Sequence, residues 1–344
     1  MTQPIIIRRR HFLQLAAGAT GALVLNACKT NSGTGGEPAA QLEMSMGSAP
    51  WVGQLPLYIA QKKGFFAEEG LDFSLSLFGA SGDYISAFSS DNVNSVAPVS
   101  AEAVLMKSQG KDFKIVLIQD NSVGGDGILA RDTIESIEDF KGQRIAVDTT
   151  GVSYFFLLQV LKEAGLTKDD IDIINADPSS AAAAFESGNV DIAVSYAPYL
   201  PQTARSVDDG RVIYDSSSMP TAIIDLYLVD TDFIEENPAA VQAFVNAIFK
   251  GTQFIDDNFE EALEIGAAEL EVTTEELEAD LKGVKIPSVE DNLNMLGNPD
   301  SDLYIAGPLQ ELVTFLLEEG QIESVPGDLA SLLDPQFVEA YSAS

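Results

Sequence analysis

From Leu42 onward, short apolar runs alternate with longer amphipathic stretches. The short runs read as strands, and the stretches with apolar residues every three to four positions read as helices. Strands are expected at residues 42–46, 71–77, 93–98 and 114–118, with helices between them. One of these helices carries Pro56 in its first turn, where proline is tolerated, and stops at Gly64. A second set follows: strand 144–147, helix 153–164, strand 171–174, helix 179–187 and strand 191–195. After a strand at 224–229 the pattern turns almost wholly helical, with helices at 238–256, 259–270, 274–281 and 301–319. Alternating strands and helices predict an α/β architecture of mostly parallel sheets with crossover helices. About 300 residues can fill two lobes of ordinary size. The expected division is a first part of lobe 1 at 42–126, lobe 2 at 127–224, and a return to lobe 1 with C-terminal helices at 225–344.

The first 41 residues follow another rule. Arg8, Arg9 and Arg10 precede an apolar run from Phe12 to Leu25, short for a bilayer span, and small residues follow. That order is the pattern of a secretory signal over residues 1–27. Arg9-Arg10-His11-Phe12-Leu13 also resembles a twin-arginine export motif. Leu25-Asn26-Ala27-Cys28 resembles a lipobox, which implies that Cys28 is lipidated and becomes the mature N-terminus. Residues 28–41 are polar and Gly-rich and are expected to form a disordered tether. The expected location is the periplasmic face of the cytoplasmic membrane, with the lipid as the sole membrane contact.

Composition narrows the chemistry. The single histidine, His11, lies in the leader, and Cys28 is the single cysteine. Beyond the leader no Ser–His or Cys–His nucleophile pair can form, and zinc or copper has lost its usual ligands. No catalysis, metal or other cofactor is expected. The formal charge is −34, and loss of the leader removes three arginines and no acid. A surface this acidic repels nucleic acid. Gly124-Gly125-Asp126-Gly127 lacks the Lys-Ser/Thr that a phosphate loop requires.

Pro56-Leu57-Tyr58-Ile59-Ala60-Gln61-Lys62-Lys63-Gly64-Phe65-Phe66, ending at Gly70-Leu71, resembles the opening of the nitrate/sulfonate/taurine group of ABC solute-binding proteins. The likeness continues at Asp139-Phe140-Lys141-Gly142-Gln143-Arg144-Ile145-Ala146-Val147, at Gly188-Asn189-Val190-Asp191-Ile192-Ala193 and at Tyr196-Ala197-Pro198-Tyr199. Four further stretches resemble a branch of that group associated with guanidine and urea-carboxylase metabolism. They are Ser48-Ala49-Pro50-Trp51-Val52-Gly53, Ser122-Val123-Gly124-Gly125-Asp126, Val152-Ser153-Tyr154-Phe155-Phe156-Leu157-Leu158 and Pro220-Thr221-Ala222-Ile223-Ile224-Asp225. Tyr154 stands where that branch has histidine, and Thr221 where it has glycine. The resemblance implies a two-lobed type II periplasmic-binding-protein fold with ligand in the inter-lobe cleft. It also implies ABC permease and ATPase subunits as partners, and a monomer.

The candidate ligand contacts are Trp51, Asp83, Tyr84, Glu102, Asp126, Tyr154, Tyr196 and Asp225. Trp51 lies on a loop between Pro50 and Gly53, where it can stack a ligand or pack a core. Asp126 is a cleft acid or a turn residue. Asp225 interrupts an apolar strand, so it either faces solvent or needs a partner. Asp83, Tyr84, Glu102 and Tyr196 each have capping or packing alternatives. After the leader four arginines remain, Arg131, Arg144, Arg205 and Arg211, and none falls in a cleft motif. Anion receptors use such residues or helix N-termini. The expected ligand is therefore a small nitrogen compound, guanidine-like or urea-like. The alternatives are a sulfonate, taurine or nitrate and, more remotely, a thiamin-precursor protein or enzyme, whose histidine chemistry this chain lacks.

Overall fold

The computed structural model describes residues 42–219, 221–324 and 327–343. The leader, Cys28, the tether and Pro220 lie outside the described residues. Eleven strands fall into two sheets. The first contains β1 (Leu42–Ser48), β2 (Leu71–Leu77), β3 (Ser95–Val96) and β4 (Phe113–Ser122). The second contains β5 (Asp126–Arg131), β6 (Arg144–Val147), β7 (Asp172–Asn175), β8 (Ile192–Tyr196) and β9 (Gly210–Asp215). The chain then returns to the first sheet with β10 (Ile224–Asp230) and β11 (Val284–Lys285). The strand orders are β11-β4-β10-β3-β1-β2 and β7-β6-β8-β5-β9.

The sheets are mixed rather than mostly parallel in their pairings, and the crossings explain why. β1 pairs in parallel with β2 and β3, whereas β10 runs antiparallel to both β3 and β4. In the second sheet β6 pairs in parallel with β7 and β8, and β5 runs antiparallel to β8 and β9. β5 and β10 are the strands by which the chain arrives from the other sheet. Each enters from the side its new neighbours leave by, so each runs against them.

Between β4 and β5 lies Ser122–Asp126, and β9 leads back through Ser216. The Ser122 and Ser216 hydroxyls are 2.8 Å apart, and the Gly124 N–H donates to Ser216 Oγ at 2.7 Å. The two crossing segments are thereby tied to each other. Gly125 is needed here for space: a Cβ would come within 2.5 Å of Trp51 Cη2.

Both lobes have apolar cores. Phe66 stacks on Phe73 at 4.2 Å and on Phe244 at 5.9 Å, joining β2 to the long helix Pro238–Asp257. Phe140, Phe156 and Phe185 are fully buried in the second lobe. Truncating one such phenylalanine typically costs about 3–5 kcal/mol. Elements that sequence periodicity does not mark are β5, β9, β11 and the helices Tyr199–Ser206, Thr231–Glu236, Val289–Gly297 and Gln336–Ser342. β3 is two residues long where a strand of six was expected. No described helix is long and apolar enough to cross a membrane.

Candidate functional site

The C-terminal ends of β1 and β8, the crossing at β5 and the start of β10 converge on one cavity. Its walls are Ser48, Ala49, Trp51, Gln54, Ser81, Tyr84, Ala97, Val99, Asp126, Val152, Tyr196 and Asp225. Its volume is about 30 Å³. One water needs about 10–15 Å³ of such space, so the cavity suits a molecule of a few heavy atoms.

Trp51 follows β1 in extended conformation, with φ −154° and ψ 140°, and the next three residues form a 3₁₀ turn. Its side chain is 7% exposed. The indole Nε1 donates to Asp120 Oδ2 at 3.0 Å, and the ring meets Tyr196 edge-on at 5.8 Å. Gly53 permits that arrangement, since a Cβ there would lie 2.0 Å from Asp120 Oδ2. The Trp51 main-chain N–H donates to the Tyr58 hydroxyl at 3.4 Å. Two glycines, two hydrogen bonds and one aromatic edge contact thus fix the orientation of Trp51.

Asp120 lies on β4, directly opposite Asp225 on β10. Asp126 opens β5 opposite Tyr196, the last residue of β8. Glu102, in the first turn of helix Ser100–Ser108, accepts from the Val99 N–H at 3.2 Å and from the Tyr84 hydroxyl. Its other oxygen accepts from the Val152 N–H of the second lobe at 3.1 Å. Two more bonds span the lobes: Ser81 N–H to Asp148 Oδ2 at 3.3 Å, and Gly82 N–H to Thr150 Oγ1 at 3.0 Å. The lobes therefore meet over the cavity.

Burial pushes the carboxyls of Asp120 and Asp126 up to about 7, against the hydrogen bonds that each accepts. Asp225 is raised well above the carboxylate range by burial and by the charges of Asp120, Asp126 and Glu102. Glu102 is raised by burial, and its four donors offset part of that. Among the described residues lining the cavity there is no lysine or arginine. Gln54 Oε1, Asp120 Oδ1 and Asp225 Oδ2 are buried with no hydrogen-bond donor. The donors nearby, Trp51 Nε1, Tyr84 OH, Gln54 Nε2 and Val152 N, are already given to acceptors of the protein. What this arrangement lacks is positive charge.

Of the candidates from sequence, the fold brings Trp51, Tyr84, Asp126, Tyr196 and Asp225 to the cavity wall and places Glu102 directly behind Tyr84. Asp83 points the other way, exposed on the first turn of helix Ser81–Ser89. Tyr154 is half-buried against Phe155 and is not in the cavity wall. Sequence reasoning missed Asp120, Gln54 and Asp148. Asp120 had a signal, since it closes an apolar strand and ligands in open α/β sheets bind beyond strand ends.

A larger cavity of about 540 Å³ lies between helix Val152–Glu163 and helix Ala306–Glu318. Its Lys162 is already paired with Glu318 at 2.5 Å and set over the Phe315 ring. It is open and has no buried group without a partner, so size alone does not mark the site. Among the described residues, no group of three or more His, Cys, Asp or Glu is placed to hold a metal ion.

Two α/β lobes with mixed sheets, closing on a small cavity at their strand ends, define a two-domain periplasmic-binding-protein fold. The chain belongs to the NMT1/THI5-like family, whose model matches residues 51–262. The taurine-binding periplasmic protein of Escherichia coli is 25% identical over 297 residues, 83% of this chain and 89% of that one. Among solved structures, the alkanesulfonate-binding protein SsuA of Xanthomonas axonopodis pv. citri, bound to MOPS, superposes with a TM-score of 0.70. The match covers 87% of this chain and 99% of that one at 16% identity. The desulfurization enzyme DSZB gives a TM-score of 0.63 at 17% identity, covering 88% of this chain and 99% of that one. These structural likenesses are of fold alone, and the fold serves binding proteins and an enzyme alike.

Proposed function

We propose that this chain is the solute-binding component of an ABC importer and that its ligand is a small planar nitrogen cation of guanidinium type. The observation that carries the reading is a cavity of about 30 Å³ walled by acids and orphaned acceptors, with no lysine or arginine. A guanidinium ion consists of four heavy atoms, offers N–H donors in one plane and has no acceptor. Asp126 and Asp225 would accept its hydrogen bonds, and the Trp51 face would meet its plane. Tyr84 and Tyr196 would close the sides, and Glu102 would hold Tyr84 in place. Asp83 and Tyr154 have no part in this reading.

A second reading, taurine or another sulfonate, is favoured by the name of the Escherichia coli relative. A sulfonate group is an anion set against buried acids, in a cavity with no lysine or arginine to balance it, and an alkyl sulfonate exceeds the cavity's volume of about 30 Å³. A thermal-shift panel of guanidinium, methylguanidine, urea, taurine, an alkanesulfonate and nitrate separates the readings. Guanidinium should raise the melting temperature most, since ligand at a thousandfold excess over Kd adds about 4 kcal/mol. A shift with taurine or nitrate and none with guanidinium would overturn the cation reading.

Export and lipid anchoring rest on the leader and Cys28, which lie outside the described residues. Cys28→Ser should move the protein from the membrane fraction to the soluble periplasm. Continued fractionation with membranes would exclude the anchor.

A further inference from the structure

We infer that entry of a cation into this cavity expels a proton held between Asp120 and Asp225, and that Asp120 is the positioning residue linking this exchange to Trp51. The inference rests on the cation reading above and adds to it how the site selects charge. Its first support is register. Asp120 and Asp225 face each other across the antiparallel pair β4–β10, and directly opposed like charges in a sheet are unfavourable. Both are buried, at 0% and 9% exposure, so water screens neither.

The second support is the hydrogen-bond inventory. Directly opposed residues of an antiparallel pair hold their Cβ atoms about 4.5–5.5 Å apart on one face, which sets the two carboxyls side by side. Two ionised carboxylates are both acceptors and cannot bond, so a bond between them needs a proton. Asp120 Oδ2 already receives Trp51 Nε1 at 3.0 Å and Gln119 Nε2 at 3.1 Å. Asp120 Oδ1 and Asp225 Oδ2 have no donor, and one shared proton supplies it. Two donors hold Asp120 in its charged form while nothing does so for Asp225, which places the proton mainly on Asp225.

The third support is the surroundings. The titratable groups facing the pair are Asp126 from β5, Glu102 from helix Ser100–Ser108, Tyr227 from β10 and Tyr58 from helix Leu55–Lys63. Tyr84 and Tyr196 complete the ring around the cavity. All are acids or neutral phenols. Burial raises both carboxyls of the pair, and the charges of Asp120, Asp126 and Glu102 raise Asp225 further, in the direction a held proton requires.

The charge balance is simple. The singly protonated pair carries one negative charge. The fully ionised pair with a cation bound in the cavity beside Asp225 also carries one negative charge, and the displaced proton passes to solvent. A neutral ligand of the same shape, such as urea, gains nothing from expelling the proton, so the exchange discriminates charge among isosteric molecules. Asp120 connects the pair to the ring that covers the ligand, because its other oxygen anchors the indole N–H.

The test is titration calorimetry of the exported domain with guanidinium chloride at pH 7, in two buffers of different ionisation enthalpy. At least one proton should be released per cation bound, and affinity should tighten at least tenfold per pH unit from 6 to 8. Equal heats in the two buffers, with clear guanidinium binding, would overturn the exchange and leave the cation reading standing. Absence of guanidinium binding would overturn both. Asp120→Asn keeps an acceptor for Trp51 Nε1 and supplies a donor to Asp225. This variant should melt as a folded protein and bind guanidinium at least tenfold more weakly, with a flattened pH profile. A variant that binds weakly but retains the full pH slope would assign Asp120 a merely structural role.

Discussion

The acids on the outside of this molecule and the acids around its cavity are the same chemical groups in opposite situations. Outside, Lys63 meets Glu261 at 2.8 Å, and Lys250 meets Glu68 and Glu69 at 3.2 and 2.6 Å. Lys111 bridges Asp91 and Asp230 at 2.6 and 2.8 Å. The exposed ones among these pairs are screened and contribute about 0.2–1 kcal/mol each. Around the cavity Glu102, Asp120, Asp126 and Asp225 are buried with no cation beside them, and all are raised in pKa. The formal charge of −34 is therefore uninformative about the ligand, whereas the position of four buried carboxyls is specific. Natural folds seldom bury several acids unpaired, and where they do a binding site is the common reason.

The largest effect should come from Asp225→Asn. Truncating one partner of a desolvated charged contact typically costs about 2–5 kcal/mol, so guanidinium affinity should fall on the order of a hundredfold or more. Folding should be unharmed or improved, because a raised buried acid is removed. Calorimetry and thermal melting read the two effects separately. Tighter binding of a sulfonate by this variant would reverse the assigned sign of the site.

Next in size is the response of the ligand-free protein to pH. Burial pushes Asp126 up to about 7 in the folded state from 3.8, and raises the Asp120–Asp225 pair in the same direction. Between those values the folded state holds more protons, so stability is greatest below about pH 4 for these groups and declines as pH rises toward 7. The slope is at most about 1.4 kcal/mol per pH unit for each group. Denaturant melts across pH 4–8 should show this decline, and guanidinium should oppose it at the upper end. Outer acids should contribute in the opposite direction where a lysine pairs them, so the sign of the net slope weighs one population against the other.

Trp51→Ala should weaken binding by about 0.5–2 kcal/mol, the range of a cation–π contact. Trp51→Phe retains the ring and loses the donor to Asp120, so any further loss measures that hydrogen bond. Smallest of all, Glu261→Gln should leave binding unchanged and alter stability by less than about 0.5 kcal/mol. A binding defect in this outer variant would remove the distinction between the two populations.

Much of the fold was legible because its signals are local. The strand at Leu71–Leu77 and the helix Phe259–Leu270 coincide with their periodic patterns. β9 escaped because all six of its residues are half-buried and show no alternation. β5 escaped because it starts Asp126-Gly127, a turn-like pair, and its next three residues are fully buried without a polar face. Parallel ladders were expected because alternation of strand and helix records which elements exist. It does not record which strands carry the chain from one sheet to the other.

The sequence by itself determined the α/β class, the two-lobed capacity and the motif residues Trp51, Asp126, Tyr196 and Asp225, with the further candidate Tyr84, that surround the cavity. These depend on spacing along the chain, which periodicity and motif both read. Tertiary structure decided the rest. Asp83 and Tyr84 are neighbours in sequence, but a helix turns about 100° per residue, so packing one inward left the other in solvent. Asp120 joined the site through the register of β4 against β10, and pairing between distant strands leaves no mark in either strand alone. The small volume of the cavity, and the absence of any cation in its wall, likewise arise only where strand ends from two sheets meet.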